Sequence, residues 1–134
     1  MKHFLSVLFV LLIVGVSILS AQDTIEEVDE CLDFYVIEVK PEFPGGEDAF
    51  LKYIAGNTKY PAEARDKGIQ GMVFIQFIID KTGEVTDVKV LKSVDPILDK
   101  EAMRVVKGMP KWTPGKQRNK FVKVSYQVPF NFKL

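Results

Sequence analysis

Residues 121–134 read FVKVSYQVPFNFKL, and this stretch decides the fold. Val122, Val124, Tyr126, Val128, Phe130, Phe132 and Leu134 fall on one side of an extended chain; Lys123, Ser125, Gln127, Asn131 and Lys133 fall on the other. Side chains of a strand alternate with a period of two. The stretch is therefore a long C-terminal strand with one dry face and one wet face, in a sheet covered on one side. Pro129 has no N–H to give a neighbour, so a free edge is expected there.

Working upstream, Met109-Pro110-Lys111-Trp112-Thr113-Pro114-Gly115 is a rigid loop holding the only tryptophan. Before it, Asp95 offers a carboxylate cap and Pro96 a first helical position. Leu98, Ala102, Val105 and Met109 form the apolar stripe of that helix, Lys107 suits its C-terminal dipole, and Gly108 stops it. Gln70 to Asp80 is a strand, apolar on both faces apart from Gln76, and so is expected to be central with cover on each side. Asp80-Lys81-Thr82-Gly83 is turn chemistry with Gly83 suited to a positive φ, returning the chain antiparallel over Glu84 to Lys92. Glu47 to Ala55 fits a helix with Phe50, Leu51 and Ile54 on one face, stopped by Gly56-Asn57; Tyr60-Pro61 starts another, which Gly68 ends. The order helix, helix, strand, strand, helix, strand predicts a small α+β domain over residues 41–134. Its antiparallel sheet, a β-hairpin plus the C-terminal strand, carries the helices on one face.

The N-terminal side reads differently. Residues 1–21 hold Lys2, an apolar run from Phe4 to Leu19 and small Ser20-Ala21, which fits either a cleaved signal peptide or an uncleaved anchor; both readings imply export. Residues 22–40 form an acidic leader with Asp23, Glu26, Glu27, Asp29, Glu30, Asp33 and Glu38 against Lys40 alone, a local charge of −6. Within it, Leu32 to Val39 is expected to add a short strand, with Phe34, Val36 and Val39 reaching the core.

Length, composition and charge narrow the chemistry. The 134 residues, 47% hydrophobic and 27% charged, make one globular domain with a tail. Eighteen basic residues balance eighteen acidic ones, which argues against a dedicated nucleic-acid binder. His3 is the only histidine, and signal cleavage removes it. His-based triads, His metal ligands and His shuttles then have no residue to use. Cys31 is the only cysteine, so it is a free thiol or pairs with another chain, making a homodimer a candidate assembly. No metal site or cofactor is expected. Of the grouped carboxylates, Asp95 is a helix cap, while Asp99 and Glu101 are first-turn acids favoured by the dipole, so no enzyme is expected. Between residues 100 and 123, Lys100, Arg104, Lys107, Lys111, Lys116, Arg118, Lys120 and Lys123 face a single acid, a surface suited to an acidic partner. The acidic leader itself is one such partner, able to lie on this surface or to cover the edge of the last strand.

These residues also carry a resemblance. Tyr60-Pro61-x-x-Ala64, Gly68-x-x-Gly71-x-Val73, Phe77-x-Ile79-Asp80-x-x-Gly83-x-Val85, Leu98-Asp99-x-Glu101-Ala102, Met109-Pro110-x-Trp112-x-Pro114-Gly115 and Val128-Pro129-x-x-Phe132 resemble the TonB C-terminal domain in order and spacing. Pro44-Gly45-Gly46 resembles the variant common in Bacteroidetes-type energy transducers, and the match spans about residues 41–134. One departure is Asn119-Lys120-Phe121, where that family more often shows Gly and Pro. Tyr60, Pro61, Gly68, Gly71, Asp80, Gly83, Trp112, Pro114 and Gly115 have structural explanations of their own, as core, turn and close-approach positions.

The resemblance implies a periplasmic domain that grips the TonB box, a short peptide of outer-membrane active transporters, by strand addition in energy-coupled transport. The edge expected to do this is Val122, Lys123, Val124, Ser125, Tyr126, Gln127 and Val128; strand addition uses backbone N–H and C=O groups, not special side chains. Another envelope protein is the alternative partner, with no role in transport, and a membrane is a partner only if the N-terminal segment stays uncleaved. About 20 residues separate the export segment from the domain, reaching ~65–70 Å extended. The chain thus resembles the terminal domain of a transducer without the long linker.

Overall fold

A computed structural model of the chain describes residues 30–134; the segment expected to direct export and the leader up to residue 29 lie outside the described residues. The elements are β1 (Cys31–Asp33), α1 (Glu47–Asn57), α2 (Ala62–Asp66), β2 (Gly71–Ile79), β3 (Val85–Lys92), α3 (Pro96–Lys107), β4 (Gly115–Gln117) and β5 (Lys120–Phe132). The sheet runs β1-β5-β2-β3, with β4 paired to the start of β5. β2 pairs antiparallel with both β3 and β5, as the hairpin and terminal-strand reading expects. One addition is β1, which joins β5 in parallel and makes the sheet mixed.

The period-two reading of β5 holds over most of its length: Val124, Val128, Phe130 and Phe132 are buried, Val122 and Tyr126 of the same face are half-buried, and Leu134 is exposed past the strand end. Facing them, Val73, Ile75, Phe77 and Ile79 of β2 are fully buried against Leu98, Ala102, Val105 and Val106 of α3. The stripe of α3 thus takes Val106 into the core, and Met109, beyond its end, only half-way. Among the described residues no cover on the second face of β2 is found. Met72 is exposed and Phe74, Gln76 and Ile78 are half-buried, because every described helix sits on the other side; Gln76 Nε2 donates to Ser125 Oγ (2.7 Å) and Lys92 lies over the Phe74 ring.

The helix signals act locally. Asp95 Oδ1 accepts the Ile97 N–H at 2.9 Å, with Pro96 opening α3 and Gly108 capping its end. α1 runs through Gly56 and Asn57 to a cap at Thr58, and its Leu51 faces solvent while Phe50 is buried. Pro61 is the N-cap of α2 rather than its first residue. In the N-terminal strap the strand is shorter than expected. Ile37 enters the core, whereas Val36 and Val39 are exposed and Phe34 is half-buried, because the chain turns after Asp33: Val36 N–H returns to the Asp33 carbonyl and Tyr35 N–H to its carboxylate.

Two turns carry predictions. At Asp80 the Oδ1 atom accepts the N–H groups of Thr82 and Glu84, each at 2.9 Å, and the Thr82 hydroxyl at 2.6 Å. Burial pushes the carboxyl up, but the Thr82 hydroxyl and the N–H groups of Glu84, Thr82 and Gly83 outweigh it, so Asp80 sits below the ordinary carboxylate value. A depressed carboxyl contributes stability above its unfolded pKa, about 4, and that stability is lost as pH falls through the folded value. Urea midpoints of the wild type and Asp80→Asn are therefore expected to be separated at neutral pH and to converge progressively as the pH falls below the ordinary carboxylate value of about 4; a constant gap refutes the assignment.

The β4–β5 hairpin closes through Arg118 (φ 53) and Asn119 (φ 63), the two successive positive φ values of a type I′ turn. Asn tolerates this conformation and Arg does so poorly. Asn-Gly in place of Arg118-Asn119 is expected to raise stability by about 0.5–1 kcal/mol, read from the denaturation midpoint.

Candidate peptide-binding site

Strand addition depends on which backbone groups of β5 point away from β2. In an antiparallel pair these groups alternate along the strand, one residue toward one neighbour and the next toward the other. Phe34 N–H donates to the Ser125 carbonyl at 3.0 Å, and Ser125 stands opposite β1. Odd-numbered residues of β5 thus address the outer side, and Val124, Tyr126, Val128, Phe130 and Phe132 bond to Ile79, Phe77, Ile75, Val73 and Gly71 of β2.

The seven residues expected to form the edge are therefore not equivalent. Val122 pairs with Gly115 of β4. Lys123, Val124 and Ser125 stand opposite Cys31, Leu32 and Asp33 of β1, so this part of the outer edge is already occupied. Tyr126 and Val128 send their backbone groups to β2. Gln127 alone of the seven presents both N–H and C=O beyond the last paired residue. Past it, Pro129 adds a carbonyl, and Asn131, absent from the expected set, adds an N–H and a carbonyl. Pro129 stands opposite Phe74 with its missing N–H on the outer side, so it costs the β2–β5 ladder nothing.

Two concavities flank this open stretch. One, about 430 Å³, is lined by Phe34, Tyr35, Phe43, Phe50, Trp112 and Tyr126 together with Lys40, Glu42 and Glu47. Phe34 meets Tyr126 edge-on at 4.1 Å, and Tyr35 stacks on it at 6.3 Å. Lys40 lies over both the Phe34 and Tyr35 rings. Burial, then the nearness of Tyr35 and Glu47 and a hydrogen bond with Tyr35, pushes the Tyr126 phenol up. The other hollow, about 290 Å³, lies at the far end of β5 between Pro129 to Lys133 and Ile54, Ala55, Thr58 and Tyr60. Tyr60 anchors that end by donating its hydroxyl to the Ile69 carbonyl and packing edge-on against Phe132.

The remaining motif residues support this frame. Trp112 is buried against Phe43, Phe50, Phe77 and Tyr126, and its indole N–H has no hydrogen-bond partner among the described residues. Trp112 N–H donates to the Gly83 carbonyl at 2.8 Å, tying the loop to the β2–β3 turn. Gly115 is buried, and a Cβ there would come within 2.8 Å of Val124. Gly71 and Gly68 hold positive φ at the entry to β2 and after α2, and Pro114 precedes β4.

The candidate carboxylates are occupied. Asp99 accepts the Ser93 hydroxyl and the Val94 N–H, while Glu101 takes the Arg104 guanidinium at 2.6 Å and the Lys59 N–H. The Arg104 hydrogen bond, opposed by burial, holds the Glu101 carboxyl below its usual range. Among the described residues no three metal-ligating side chains gather, and no helix is long and apolar enough to cross a membrane.

Residues 56–134 match the family described as Gram-negative bacterial TonB protein C-terminal. Protein TonB of Helicobacter pylori strain 26695 is 30% identical over 104 residues, 74% of this chain and 36% of that protein. Protein TonB of strain J99 is 38% identical over 69 residues, 48% of this chain and 25% of that protein. The chain thus spans about a third of the first relative's length and a quarter of the second's. A solution structure of Helicobacter pylori TonB-CTD aligns with a TM-score of 0.49 at 27% identity, covering 64% of this chain and 90% of that one.

Proposed function

Because the chain belongs to the family of Gram-negative bacterial TonB protein C-terminal domains, we propose that it captures an extended peptide of outer-membrane transporters by strand addition to the outer edge of β5, in energy-coupled transport across the envelope. The work is done in the periplasm, which the export segment at residues 1–21 makes accessible.

One observation carries the reading. Gln127 and Asn131 turn backbone groups outward on a strand whose inner side is fully paired, and a hollow flanks each end of that stretch. Added strands draw affinity from such unpaired main-chain groups and specificity from pockets that take alternate side chains. The aromatic hollow beside Tyr126 suits an apolar side chain, and the basic residues Lys116, Arg118 and Lys120 of the β4–β5 hairpin suit acidic flanks.

The test is titration of the purified protein with synthetic peptides from the N-terminal periplasmic segments of outer-membrane transporters, followed by backbone amide shifts. Shifts centred on Gln127 to Asn131 support the reading. Shifts confined to α3 or to the open face of β2 and β3 sink it.

A further inference from the structure

We propose that β1 with Phe34 is a displaceable occupant of the partner's edge, so that an incoming strand binds by replacing it. This rests on the reading of β5 as a peptide-binding edge. The occupied and open parts of that edge are continuous. β1 covers Lys123 to Ser125, Gln127 follows directly, and a peptide longer than a few residues added at Gln127 runs into β1 or takes its place.

β1 is held weakly. It is three residues long, none of them buried, at the outer edge of the sheet. The strap that follows exposes Tyr35 (69%), Val36 (72%) and Val39 (51%), an unusual concentration of solvent-facing apolar side chains. Segments with few buried contacts open locally at far lower cost than the core. The hinge for such opening lies at Val36, because the next residues are fastened. Ile37 is buried, Val39 and Lys116 exchange backbone hydrogen bonds, and so do Glu42 and Thr113. Departure of residues 30–36 therefore leaves the rest of the sheet intact. It also removes Phe34 and Tyr35 from the aromatic hollow, uncovering Tyr126 for a side chain of the incoming strand.

The native thiol supplies the test. Cys31 and Lys123 are register partners on adjacent strands, within disulfide reach, and Cys31 is exposed. In Lys123→Cys, oxidation locks β1 onto β5 and reduction frees it, so each protein is its own control. The probe is the transporter-derived peptide that gives the largest shifts with wild-type protein. The oxidised variant is expected to bind it at least about tenfold more weakly than the same variant reduced, with recovery on adding reductant.

A second readout needs no peptide. Amide exchange at Ser125, whose N–H faces β1, is expected to be about 100-fold faster than at Val128, whose N–H faces β2. Equal protection at the two amides, or unchanged peptide affinity in the locked form, overturns displacement. If Gln127→Pro still abolishes binding in that case, the edge reading survives and only the occupant idea falls. If Gln127→Pro binds normally, the edge reading itself fails.

Discussion

Replacing Gln127 by proline is expected to weaken the proposed peptide capture by roughly 30-fold or more while leaving the fold within about 1 kcal/mol of wild type, as an edge position should. The Gln127 N–H points away from β2, so its loss breaks no bond of the β2–β5 ladder. The chain already holds Pro129 two residues on with the same orientation. An incoming strand loses a donor and also meets the ring, an effect of about 2 kcal/mol or more, which is a fall in affinity of roughly 30-fold or beyond. The control is Val128→Pro. That N–H bonds to Ile75, so this variant is expected to lose the fold itself. Calorimetric titration with matched denaturation curves reads both effects. Peptide binding by Gln127→Pro within about twofold of wild type rules out strand addition at this edge.

Gly83→Ala is expected to be the most damaging single-methyl addition in the domain. Gly83 holds φ +93, and a Cβ built there would lie 1.9 Å from the Trp112 carbonyl oxygen. The residue cannot retreat without giving up the 2.8 Å hydrogen bond that its carbonyl accepts from Trp112 N–H. Left-handed strain of about 1–3 kcal/mol adds to a packing cost of similar size, so the loss is about 3–5 kcal/mol, measurable as a shift of the urea midpoint. A variant that loses less than about 1 kcal/mol shows that the Trp112 loop moves aside freely.

The contrast between these two residues shows what the sequence made legible. Strict alternation from Val122 to Phe132 revealed which side chains of β5 are dry, since side-chain facing depends on one strand alone. Which N–H groups are free depends on the neighbours. Backbone direction alternates sideways, and only the register with β2 and the contact with β1 assign odd residues to the outer side. Gly83 was legible as a turn glycine from Asp80-Lys81-Thr82-Gly83, but its contact with Trp112 joins distant segments and leaves no local trace.

β1 was the hardest to read. Three residues are too few to display a period, and their partner lies at the other end of the chain. The expected strand over Leu32 to Val39 captured its neighbourhood and misjudged which residue anchors it, because the turn at Asp33 shifts the facing so that Ile37 points inward. The apolar character of both faces of β2 suggested two covering layers; in a domain this small the second face stays partly wet, with Met72 and Phe74 tolerated beside Gln76 and Lys92.

The seating of Trp112 has an optical consequence. It is the only tryptophan of the chain, enclosed by rings and without a polar partner for its indole N–H among the described residues. Its excited state is therefore expected to be shielded from solvent relaxation, and emission from the folded protein to be blue-shifted. Tyr126, centred 6.2 Å away, sits at the border between the core and the outer edge of β5. One intrinsic chromophore thus reads two events at different amplitudes: a large red shift when the domain unfolds, and a smaller change in intensity when Phe34 and Tyr35 leave the Tyr126 ring.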